Sequence, residues 1–205
     1  KGVTAGAALK ARAQQEINEE ERTRQFPKLV AALFQIIHSG IDDVDLLQDL
    51  LTHLLDAMVM QDDFGTINQV VHKLKVALQN NPHNPLLPQL LSGFVQRMGE
   101  EARLSRITES LKRLRPKNAI DLARYISSLP ASTVAPLLGM LEQIELADNR
   151  LWLSELLVPF AKTNAPPFLE RLKSERPQTV RDMLYILDRS GHADRVRFFA
   201  TVLES

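Results

Sequence analysis

Cysteine is absent from all 205 residues. No disulfide, thiolate zinc site or cysteine nucleophile is therefore available. A cysteine-free chain fits a reducing compartment, and a cytoplasmic location is the expectation. Aromatic residues are also scarce, at 5% of the chain with a single tryptophan. The eight glycines are scattered, and none builds a loop that would cradle a phosphate. There is no nucleophile elbow and no His-Glu-x-x-His zinc helix. No apolar run approaches the roughly twenty residues that cross a bilayer. Charge of one sign is missing too, because 25 basic side chains face 25 acidic ones. That balance argues against bulk binding to nucleic acid or to an acidic membrane. The expectation from these gaps is a non-enzyme without a cofactor.

What the chain does have is helical periodicity. Leu46, Leu47, Leu50, Leu51, Leu54, Leu55 and Met58 mark two adjacent positions per turn, which predicts a wide apolar stripe. Asp42-Asp43 and Asp62-Asp63 stand where helix caps belong. Pro27 and Pro166 suit first helical turns, and Ser39-Gly40 and Gly99 suit breaks. Phe64, Ile67, Val70, Val71, Leu74 and Leu78 predict a third helix, closed by the turn-rich Asn80-Asn81-Pro82-His83-Asn84-Pro85. Later helices are expected to start near Lys117, Ser132, Asn149, Pro166, Gln178 and Ala193, with short gaps that suit antiparallel neighbours. Pro159 is expected to end or kink the helix that carries Trp152. No segment alternates with period two, so the fold class is all-α.

A phrase recurs in the C-terminal half. Leu111-Lys112-Arg113-Leu114-Arg115-Pro116 returns as Leu172-Lys173-Ser174-Glu175-Arg176-Pro177, 61 residues on, with Asp121 and Asp182 at matching places. Two helix pairs fit that interval, giving a unit of about thirty residues, a solenoid period. Arg176-Pro177-Gln178-Thr179-Val180-Arg181, then Met183 to Leu187, Ser190-Gly191, Val196, Phe199 and Leu203, resembles a HEAT repeat of the short bacterial type. The unit that opens at Pro116 resembles it more loosely, with Ala119-Ile120 in place of Val180-Arg181 and Leu129-Pro130 in place of Ser190-Gly191. The middle unit, near 147–175, keeps the helix pair without the opening proline.

The resemblance implies a right-handed α-solenoid of antiparallel helix pairs. It also implies that Arg181 bridges to an acid of a neighbouring unit, with Asp182 and Asp148 both eligible. Such a unit cannot bury its apolar stripe alone, so neighbours stack. The expected organisation is a charged helical linker over 1–24, an α-hairpin array over 25–115 and HEAT-like repeats over 116–205, stacked as one solenoid. Lys1 in place of Met, and a helical pattern that runs to Ser205, predict a fragment of something longer, and the resemblance implies the C-terminal part of a longer bacterial protein.

The expected role is a protein-interaction scaffold whose partner is another protein or another domain of the same chain. Trp152, Tyr125, Tyr185 and Arg181 are its candidate anchors, since Trp, Tyr and Arg dominate interface energetics. Two alternatives have residues behind them. Arg103, Arg106, Lys112, Arg113, Arg115 and Lys117 crowd one helix and its exit, a candidate phosphate or nucleic-acid patch. Asp45, Asp49, His53 and Asp56 share a helix face, and the Asp49/His53 pair one turn apart is a candidate metal site. A plain spacer is a further alternative.

Overall fold

Aspartate and asparagine caps set several helix starts. The computed structural model describes residues 25–37 and 43–191. The expectations for residues 1–24, the Ser39-Gly40 stop, Asp42, His38, His192, Val196, Phe199 and Leu203 lie outside the described residues. The first helix, α1, spans 25–37 and holds Pro27 in its first turn. Asp43 accepts from the Leu46 amide at 3.0 Å and opens α2, Val44–Met60. Asp63 accepts from the Thr66 amide at 3.1 Å and opens α3, Phe64–Asn80. Each such cap contributes about 1 kcal/mol by satisfying an orphan N–H. Then follow α4, Leu86–Met98, and α5, Glu101–Arg113, separated at Gly99. Asn118 caps α6, Ala119–Ser127. A 3-10 turn, Ala131–Thr133, leads into α7, Val134–Gln143, which tolerates Pro136 in its first turn. The series ends with α8, Ala147–Thr163, α9, Pro166–Arg171, and α10, Pro177–Ser190. Among the described residues there is no strand, and none of the helices is long and apolar enough to cross a membrane.

Two expectations about elements need correction. Pro159 does not end the helix that carries it, since α8 continues through it to Thr163. The proline is exposed and its cost is local: the hydrogen bond to the Glu155 carbonyl is forfeited and the ring crowds that carbonyl. The α2 stripe is narrower than expected. Leu47, Leu51, Leu55 and Met58 are buried, whereas Leu46 and Leu50 are 48% and 42% exposed. One row of leucines meets neighbouring helices and the adjacent row faces outward.

The chain forms two compact units, divided at Arg97 and Met98. α5 packs against α7 in the second unit. In the first unit α2 packs on α3. From α4, Arg97 donates to Thr52 Oγ1 and, at 3.3 Å, to Gln48 Oε1. The Lys73 ammonium stands 5.6 Å from the Phe34 ring centroid, a cation–π contact between α3 and α1.

In the second unit alternate helices are neighbours. α7 touches α5, α8 and α9, while α8 touches α6, α7 and α10, and α10 also touches α9. Leu137, Leu138, Leu141, Leu153, Leu157, Phe168, Ile186 and Leu187 form its apolar interior. Gly191 closes α10 at φ 66, the left-handed conformation that glycine adopts without strain.

Candidate functional site

Glu145 and Leu146 lead into α8, and Pro177 opens α10 beside it. Packing of these two helices leaves a groove of about 470 Å³ between their N-terminal turns. Ala147, Arg150 and Leu151 line the α8 wall together with Glu145. Gln178, Arg181, Asp182 and Tyr185 line the α10 wall. Their spacing of three or four residues puts them on one helix face.

Arg150 ties the walls together. One guanidinium nitrogen donates to the Ile144 carbonyl at 2.9 Å and another to the Asp182 carboxylate. Gln178 donates to the other Asp182 oxygen at 3.0 Å. Arg150 Nε is buried with no hydrogen-bond partner. On the next turns the Tyr185 hydroxyl donates to Glu155, and the Arg189 guanidinium stands 3.7 Å from the same carboxylate. The hydrogen bond to Glu155 raises the Tyr185 pKa above the usual phenol value, with desolvation and the Glu155 charge adding and Arg189 opposing.

A second groove, about 280 Å³, adjoins the first and shares Ala147 with it. Arg115, Leu146, Asp148 and Asn149 complete its lining. Arg115 donates to Asp148, and Asn149 donates to the carbonyls of Leu111 and Leu114 at 2.7 and 2.8 Å. The buried Asn149 thereby fixes the α5–α6 connection against the start of α8.

Of the four expected anchors, Arg181 and Tyr185 meet in the larger groove. Trp152 is half-buried on α8, one turn after Asp148 and so on the Arg115 flank. Tyr125 is not a surface anchor. It is wholly buried, and its hydroxyl donates to the Met98 carbonyl at 2.6 Å. It stands one turn after Leu122 and next to Ile126, on the apolar stripe of α6. The bridge between helix pairs is also made by a different residue. Arg150 reaches Asp182 and Arg115 reaches Asp148, while Arg181 is exposed and makes no ion pair among the described residues.

Three of the six residues of the basic run pair with acids. Arg103 is buried and pairs with Glu100 at 2.6 Å, Lys112 pairs with Glu109 at 2.5 Å, and Arg115 pairs with Asp148. Arg106 and Lys117 are exposed, and the Arg113 side chain lies outside the described residues. The Asp45, Asp49, His53 and Asp56 side chains do not converge, since no group of three metal-capable side chains exists among the described residues. Asp49 lies 3.9 Å from Arg97, and the His53 Nδ1 faces the Asp49 carbonyl at 2.7 Å. His72 and His83 are exposed.

Sequence reasoning missed Glu145, Arg150 and Leu151. One signal was available: Arg115 and Asp148 are 33 residues apart, and Arg150 and Asp182 are 32 apart. A basic–acidic pair thus recurs at close to the helix-pair period. Compared with protein-family models, curated proteins and solved structures, the chain matches none of them.

Proposed function

We propose that this chain is a non-catalytic protein-interaction scaffold, a HEAT-like stack of antiparallel helix pairs that docks a protein at the α8–α10 groove. The observation that carries this reading is the groove, where exposed Arg181 and half-buried Tyr185 face Leu151, 54% exposed, across the wall. A guanidinium and a phenol ring at one concavity are the chemistry of interface anchors, and the exposed leucine adds apolar surface beside them. The titratable groups beside it are engaged with each other, Arg150 with Asp182 and Tyr185 with Glu155. That arrangement favours rigid shape over proton transfer. The alternation of helix neighbours in the second unit supports the stacked-pair architecture.

A photoreactive amino acid placed at Leu151 tests the reading. The expected outcome is a discrete cross-linked protein species in cells, lost when Arg181→Glu is added. The same probe at Ala135, exposed on α7, is expected to yield none. Equal products from both positions, or none from Leu151, overturn the reading.

A further inference from the structure

We infer that the occupant of the α8–α10 groove is a second copy of this chain, related by a twofold axis; this rests on the reading of the groove as a protein-docking site.

The inference starts from the charges that the groove leaves unused. Arg150 and Asp182 neutralise each other on its floor, and Arg115 and Asp148 do so in the adjoining groove. Two charged lining residues are left, Arg181 on the α10 wall and Glu145 at the start of α8. Both are exposed, and neither forms an ion pair among the described residues. One unpaired cation and one unpaired anion on opposite walls make a surface complementary to itself. In an isologous interface residue i meets j while j meets i, so Arg181 of each copy meets Glu145 of the other.

The apolar part of the surface is consistent with the same operator. Leu151 is 54% exposed and Leu146 is 38% exposed, and Ala147 between them is shared by both grooves. A twofold contact lets the leucine of each copy enter the groove of the other. The chain as a whole carries a formal net charge of zero, so no global repulsion opposes association. A strongly acidic or basic partner finds no matching excess on the lining, where three cations stand beside three anions.

Sedimentation velocity over a concentration series, on the whole chain, tests this. The wild-type chain is expected to pass from monomer to dimer with rising concentration. Arg181→Glu places two carboxylates opposite each other, and Glu145→Arg places two guanidinium groups opposite each other. Each reversal acts twice across the axis and is expected to weaken dimerisation about a hundredfold, two contacts at roughly tenfold each. Both changes in one chain restore it. An equimolar mixture of the two single variants is also expected to dimerise. In the mixed dimer the new carboxylate at position 181 of one copy faces the new guanidinium at position 145 of the other. The native Glu145 and Arg181 form the second contact.

Circular dichroism confirms that each variant is folded, as expected for exposed positions. A chain that stays monomeric at all concentrations overturns the second-copy inference. So does a dimer indifferent to both reversals, or single variants whose mixture stays monomeric. Cross-linking from Leu151 to a different protein, with the chain itself monomeric, removes the second copy and leaves the docking reading standing. Absence of any cross-link and of any dimer removes both.

Discussion

Arg150 and Asp182 expose 13% and 10% of their side chains, so both charges have left most of their water. Burial of that kind costs several kcal/mol per ion, and the mutual attraction offsets it only while both partners are present. Arg150→Met is therefore expected to destabilise the chain by about 3 kcal/mol, since it strands the Asp182 carboxylate between α8 and α10. Adding Asp182→Leu removes the stranded charge and is expected to recover most of that loss. Urea unfolding followed by helical circular dichroism measures both steps. A single variant that costs nothing sinks the account of Arg150 as the tie between the walls. Tyr185 makes a different prediction. Its phenol pKa is raised, chiefly by the hydrogen bond to Glu155. The bond belongs to the neutral phenol. Its contribution is present below the ordinary phenol value of about 10 and is lost as pH rises through the higher folded value. The phenolate absorbance that Tyr185→Phe removes from the native chain is expected to rise late, and Glu155→Gln is expected to move that part of the titration back.

At the scale of the helix, local rules and the observed elements agree where one residue acts alone. Asp43 and Asp63 cap as their chemistry demands, and Pro166 opens α9. Gly191 closes α10 at a positive φ, as the Ser190-Gly191 pair predicts. Agreement fails where the same phrase meets different neighbours. Pro177 is the first residue of α10, but Pro116 stands before Asn118, which caps α6 by accepting from the Asp121 amide at 3.2 Å. An asparagine two residues after Pro116 supplies a better cap and moves the start of the helix. Pro159 leaves α8 unbroken for another reason. A proline breaks a helix when nothing else holds it, and α8 is held on both sides by α7, α10 and α6. The missing N–H still leaves the Glu155 carbonyl without its helical donor. Pro159→Ala restores that bond and a better helix former at an exposed site. The expected gain is about 1–3 kcal/mol in the free energy of unfolding, measured by urea denaturation. A loss of stability instead would mean that α8 requires its proline.

For the whole molecule, the helical class was legible because apolar spacing is written into each helix by itself. The groove was only half legible. Arg181 and Tyr185 stand out as residue types, but Glu145 and Leu151 become neighbours of theirs only when helices some thirty residues apart come together. Tyr125 misleads for the same reason, since a tyrosine on an apolar stripe is an interior residue once a carbonyl, here that of Met98, accepts its hydroxyl. The balance of charge over the chain is also legible, and it gives the proposed self-association a salt dependence of definite sign. In a strongly charged protein added salt relieves overall repulsion and favours association. Here the formal net charge is zero, so screening acts mainly on the Arg181–Glu145 contacts between copies. The screening length falls from about 10 Å at 0.1 M salt to about 3 Å at 1 M. The dimer is expected to weaken roughly tenfold over that range, and sedimentation equilibrium at the two salt concentrations measures it. Leu151→Ala is expected to weaken the dimer equally at both, because apolar contact is not screened. Dimerisation that strengthens with salt would instead assign the contact to apolar burial alone and take the charge pair out of it.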